Sequence, residues 1–111
     1  MNRSERDMEI ANTILAQLGG KLFTMMTGAG SFAGGRFDGE PGLSMKLPER
    51  RGMIITLNVN DTYDLRMIRP GFFRKGEWVD NKDLAVEKDI YVENLRQAFE
   101  SMTGLYTSIA G

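Results

Sequence analysis

Between residues 43 and 68 the chain carries three short strand patterns in succession, and this run constrains the fold more than any other feature. Leu43-Ser44-Met45-Lys46-Leu47 alternates apolar and polar residues and stops at Pro48. Alternate side chains of an extended chain point to opposite faces, so this pattern predicts a strand with one buried face. Residues 53–59 are rich in β-formers, and residues 62–68 set Tyr63, Leu65 and Met67 on one face against Asp64 and Arg66 on the other. Asn58, Asn60 and Asp61 supply turn chemistry between the last two segments, which predicts a hairpin. Strands joined by such short connections pair antiparallel.

Helical patterns flank this run. From residue 5 to 18, Met8, Ala11, Ile14, Leu15 and Leu18 fall on one helical face. Ser4 is expected to cap the start, with Asp7 as its capping-box partner, and Gly19-Gly20 to end the helix. A second helix is predicted over residues 92–102, with Val92, Leu95, Phe99 and Met102 inward and Gly104 closing it. Residues 21–27 are apolar on both faces, as a central strand is. A fifth strand is expected around residues 77–79 or 84–86. The order predicts one α+β domain over residues 1–111: an N-terminal helix, an antiparallel sheet of four to five strands and a C-terminal helix. A chain of 111 residues can bury roughly two-thirds of the surface it exposes unfolded.

The glycines at 28, 30, 34, 35 and 39 follow an apolar run, as a phosphate-cradling loop would. The dinucleotide fingerprint fails, because the third glycine arrives one residue late and Arg36-Phe37-Asp38-Gly39-Glu40-Pro41 cannot open a helix. Without that helix there are no free amides for a pyrophosphate. No Gly-Lys-Ser/Thr follows either. The expectation is a long mobile loop between two strands, and no cofactor.

Catalytic chemistry finds little to work with. The chain has no cysteine and no histidine, which removes thiolate chemistry and the commonest proton-transfer group near neutral pH. Asp61 and Asp64 flank Tyr63 but alternate across the strand, which favours turn capping and solvation over a shared cation. Ser44 and Lys46 share a face, yet polar residues at that spacing are what a half-exposed strand carries. The loop from Asp80 to Asp83 lacks the spacing and glycine of a calcium loop. No catalytic, cofactor-binding or metal-ligating residue is assigned. The charged N-terminus does not resemble a signal peptide and no apolar run approaches the roughly 20 residues that span a bilayer, so a cytoplasmic protein with no membrane partner is expected.

Charge is unevenly placed, although the net charge is only −1. Arg66, Arg69, Arg74 and Lys75 lie within ten residues free of acids. Residues 77–93 then hold six acids against two lysines. Phe72 and Phe73 sit in the basic half and Trp78 follows, so Arg66, Arg69, Phe72, Phe73, Arg74, Lys75 and Trp78 form a candidate partner-binding strip. Three readings fit it: a structural edge, a protein interface that includes self-association, and a single-stranded nucleic-acid surface. Two adjacent aromatics cannot both point inward from one strand, so one of Phe72 and Phe73 is expected outside. The eight methionines are expected to fill irregular core gaps.

The segments "ANTILAQLGGKLFTMMTGA" (11–29), "LSMKLP" (43–48), "ITLNVNDTYDL" (55–65) and "LRQAFESMTGLYTS" (95–108) together cover about half the chain. In this order they resemble a family of small uncharacterised proteins of bacteriophages and other bacterial mobile elements. Residues 34–42 and 71–83 depart from that pattern. The resemblance implies a phage or mobile-element origin and no activity. The function expected from residues and resemblance together is non-enzymatic binding of a host or phage protein, as by a stoichiometric inhibitor of a host defence system. The alternative is a single-stranded nucleic-acid-binding module.

Overall fold

A computed structural model describes residues 2–108. Helix α1 (Arg3–Leu18) begins at Asn2, whose Oδ1 accepts the Glu5 N–H at 2.8 Å. Asn2 therefore caps the helix where Ser4 was expected, and Ser4 lies within the first turn. Asp7 has another partner. It is buried, and its Oδ2 accepts from Arg36 Nε at 3.1 Å, which ties α1 to the sheet. Ala11, Ile14 and Leu18 are the buried apolar positions of α1, on the face that the spacing predicts.

The chain turns at Gly19 and continues as a second helix, α2 (Gly20–Thr27), where a central strand was expected. A short apolar run does not by itself distinguish the two. Here only Phe23 and Thr27 are buried, four residues apart, while Leu22, Met25 and Met26 are exposed. The Thr24 and Thr27 hydroxyls donate to the carbonyls of Gly20 and Phe23, which satisfies them within the helix.

The glycine-rich stretch is the second correction. It forms the edge strand β1 (Gly30–Phe37), and Asp38-Gly39, both at positive φ, turn it into β2 (Glu40–Leu47). Asp-Gly with both residues left-handed is the tight hairpin turn that matches the twist of the strands. Gly34 explains part of the composition. A Cβ there would stand 2.8 Å from both Ala11 Cβ and Met8 Sδ, so the missing side chain admits α1 directly onto β1. The absent side chains allow close packing here; the backbone pairs with β2 at Gly30 and from Ala33 to Phe37, with an irregularity between.

Strands β3 (Arg51–Leu57) and β4 (Tyr63–Arg69) form the predicted hairpin. Its loop is closed by Asn58, whose N–H donates to Thr62 O and whose Oδ1 accepts from the Asn60 and Thr62 amides. Both candidate fifth strands exist. The first is part of a small separate hairpin, β5 (Phe72–Arg74) with β6 (Glu77–Val79). The second belongs to β7 (Lys82–Ile90), which completes an antiparallel sheet in the order β1-β2-β3-β4-β7. A 3₁₀ turn (Val92–Asn94) precedes helix α3 (Leu95–Thr103). That turn consumes Val92, which is exposed rather than inward, so the buried stripe starts at Leu95 and runs through Phe99. Gly104 ends α3 in the left-handed conformation, as expected.

The domain is thus α+β, with the helices on one face of a meander. Register aligns Leu43, Ile55 and Leu65 in one cross-strand row and Met45, Met53 and Met67 in the next. Both rows are buried against Ile14, Leu18, Phe23, Leu95 and Phe99. Three methionines therefore fill the core as expected, whereas the Met25-Met26 pair lies on α2. Tyr63 is buried beside them and its hydroxyl donates to Gln17 Oε1. Burial raises its pKa above the ordinary tyrosine value, and the bond to Gln17 opposes part of that shift. Arg51 joins the layers at one end: its Nη1 donates to Thr103 O at 2.8 Å, at the C-terminus of α3 where a cation is favoured.

Candidate binding site on the β5–β6 hairpin

The link from β4 to β5 is Pro70-Gly71, and its geometry sets the position of the hairpin. The Gly71 N–H donates to Asn81 Oδ1 at 2.6 Å, which closes the base of the hairpin across its two ends. A Cβ at Gly71 would collide with the Trp78 ring and with Val79 O, so only glycine lets the indole lie against the link. At the tip, Lys75 and Gly76 both have positive φ and make the two-residue turn. A two-stranded hairpin alone is marginal in water. This one is held at its base and by its own aromatics.

Register fixes what each face of the hairpin presents. Phe73 pairs with Trp78, and their rings meet edge to face at 5.2 Å. Phe72 pairs with Val79, and Arg74 with Glu77, on the opposite face. Phe72 is 47% exposed, Phe73 73% and Trp78 54%. The expectation was that one of the adjacent phenylalanines would face out; both do, because the hairpin leaves the sheet before Phe72.

Beside Phe72 lies a cleft of about 560 Å³ that includes Lys46, Arg50, Arg51, Arg69 and Pro70 in its wall. It sits at the end of the sheet where the β2–β3 turn and the β4–β5 link meet. Arg51 is tied to backbone carbonyls of Pro48 and Thr103. Lys46, Arg50 and Arg69 form no ion pair with an acid among the described residues. Three cations without an acidic partner among the described residues thus share one concavity with an aromatic ring.

The candidate strip therefore divides. Arg69 and Phe72 enter the cleft, Phe73 and Trp78 form the stacked face, and Arg74 and Lys75 occupy the end of the hairpin. Arg66 does not join them. It projects from the helix-free face of the sheet, paired with Asp38 at 3.2 Å and Asp83 at 3.7 Å, and lines a separate concavity of about 320 Å³. Lys46, Arg50 and Arg51 were missed. The signal was the antiparallel register: Gly52 opposes Ile68, which brings the Arg50-Arg51 pair beside the end of β4.

The other candidate residues have local roles. Asp64 accepts from Asn58 Nδ2 and from the Asp89 N–H, and Asp61 takes the left-handed position in the β3–β4 turn. Ser44 donates across to Ala33 O. Among the described residues no three acidic side chains are grouped to hold a metal ion, and no helix is long and apolar enough to cross a membrane.

One feature of the cleft wall is strained. The β2–β3 turn places Glu49 and Arg50 at φ 64° and 57°, positions that hairpins ordinarily give to Asn-Gly. Left-handed backbone costs a residue with a side chain about 1–2 kcal/mol. The double substitution Glu49→Asn, Arg50→Gly is expected to stabilise the fold by about 1 kcal/mol, raising the melting temperature by about 5 °C in a thermal scan. An unchanged or lower melting temperature would show that the turn is relaxed.

No family model, no curated protein and no solved structure significantly matches this chain.

Proposed function

We propose that the protein is a non-enzymatic binding module that engages a macromolecular partner through the β5–β6 hairpin and the adjoining basic cleft. The observation that carries this reading is the exposed Phe73–Trp78 pair, held in a defined geometry on an element that contributes nothing to the buried core cluster. Burying aromatic side chains is the strongest single source of binding energy at macromolecular interfaces, and arginine is the other favoured anchor. The phage or mobile-element origin and the inhibitor role rest on the sequence resemblance. The quoted segments of that resemblance omit residues 71–83, so the hairpin would be this chain's own addition to such a protein.

The test separates binding from folding. Changing Phe73 to Ser removes a ring outside the core, so stability should move by no more than about 1 kcal/mol, the worth of its edge-to-face contact with Trp78. Circular dichroism should be unchanged, while self-association in sedimentation or retention of a cellular partner should fall at least tenfold. A variant that unfolds would place the ring in the core; a variant that binds as before would remove the hairpin from the interface.

A further inference from the structure

We propose that the partner of this site is a single-stranded nucleic acid, with backbone phosphates in the Lys46–Arg50–Arg69 cleft and bases on the hairpin aromatics. This inference rests on the binding reading above and names its ligand. Three cations without acidic partners among the described residues line the cleft, and Lys75 adds another at the tip of the hairpin, beyond the Arg74–Glu77 cross-strand pair. A surface that leaves so many cations unneutralised in a chain of net charge −1 is complementary to a polyanion. Phe72 stands in the wall of the same cleft with about half its surface exposed, so a nucleotide whose phosphate enters the cleft has a ring beside it for its base. Stacking on such a ring is sequence-tolerant, because every base offers a π-face.

The surroundings favour one strand over two. The helix-free face of the sheet carries Asp38, Glu40, Asp64 and Asp83 around its own concavity against Arg66 and Lys88, so acids stay in excess there even with Arg66 paired to Asp38 and Asp83. A duplex lying broadly across the sheet would bring its second row of phosphates toward these carboxylates. A single strand can follow the cleft and the hairpin and avoid them. An acidic peptide would answer the charge but leave the aromatic faces without a planar partner.

The probe is a fluorescein-labelled thymidine oligomer of about fifteen nucleotides, within the site sizes such surfaces occupy. Its anisotropy is followed with the whole protein, and the fluorescence of Trp78, the only tryptophan, gives an independent signal. Three phosphate contacts predict an affinity that falls about 20-fold between about 50 and 200 mM salt. Lys46→Gln with Arg50→Gln should flatten that dependence to about threefold, and Phe72→Ala should weaken binding about tenfold at every salt concentration. Circular dichroism of each variant establishes that the fold is retained. Freely tumbling oligomer at low salt with excess protein overturns the proposal, as does tighter binding of the duplex or of a polyglutamate peptide. Such a failure leaves the hairpin as an interface if Phe73→Ser still abolishes partner retention; if that variant is also silent, the binding reading fails with it.

Discussion

Replacing Phe99 with alanine is expected to cost about 4 kcal/mol, in the middle of the range for a buried aromatic. Phe99 is fully buried on α3 and meets Phe23 of α2 edge to face, with ring centroids 5.0 Å apart. The pair joins α2 to α3, which packs over β4 and β7, while α1 lies over β1 and β2. Removing one ring opens a cavity at that junction and strips the other of its partner. Because a domain of this size is stable by only about 5–15 kcal/mol, the variant should be close to unfolding at physiological temperature. Urea denaturation followed by circular dichroism measures the effect. A loss below about 1 kcal/mol would mean that the helices repack freely and that no specific contact joins them.

Changing Gly42 to alanine should be nearly as damaging for a different reason. A Cβ at this position would run into the Ile55 carbonyl oxygen and stand 2.9 Å from Thr56 Cα. Both obstacles are backbone of β3, the strand with which Gly42 pairs, so no side-chain rotation relieves them. The strands would have to separate in the middle of the sheet, losing ladder hydrogen bonds and disturbing the row that aligns Leu43 with Ile55. A cost of about 3 kcal/mol is expected, in the range of severe single substitutions. Hydrogen exchange should show lost protection at β2 and β3 first. Wild-type stability of the variant would show that the two strands have room to spare.

The parts of the fold that were legible share one property: each has a buried face with the period of its own element. Leu43, Met45 and Leu47 alternate into the core, as do Tyr63, Leu65 and Met67, and Ala11, Ile14 and Leu18 repeat at helical spacing. The segment 21–27 lacked that contrast. Its exposed Leu22, Met25 and Met26 are as apolar as its buried Phe23, so composition concealed the period. The glycines misled in another way. Their number suggests mobility, but Gly34 is required by the approach of α1 and Gly42 by the approach of β3.

The site was partly legible for a related reason. Sequence proximity grouped Arg66 with Arg69, yet three residues along a strand lead to opposite faces, and Arg66 is neutralised by Asp38 and Asp83. Conversely, Lys46 and Arg50 are distant in sequence from Phe72 and reach it only through the pairing of β3 with β4. The aromatic hairpin itself was visible as Phe72-Phe73 followed by Trp78, because two neighbouring rings cannot both enter one core.

The most direct test of binding through the hairpin is photo-crosslinking in the cell that makes the protein. A benzophenone amino acid replaces Phe73 in one variant and Val59 in another; Val59 is 93% exposed, in the turn at the other end of the sheet. Binding through the hairpin should give a discrete adduct from position 73 that is absent from position 59, and one sensitive to nuclease if the partner is a single-stranded nucleic acid. No adduct specific to position 73 would contradict it.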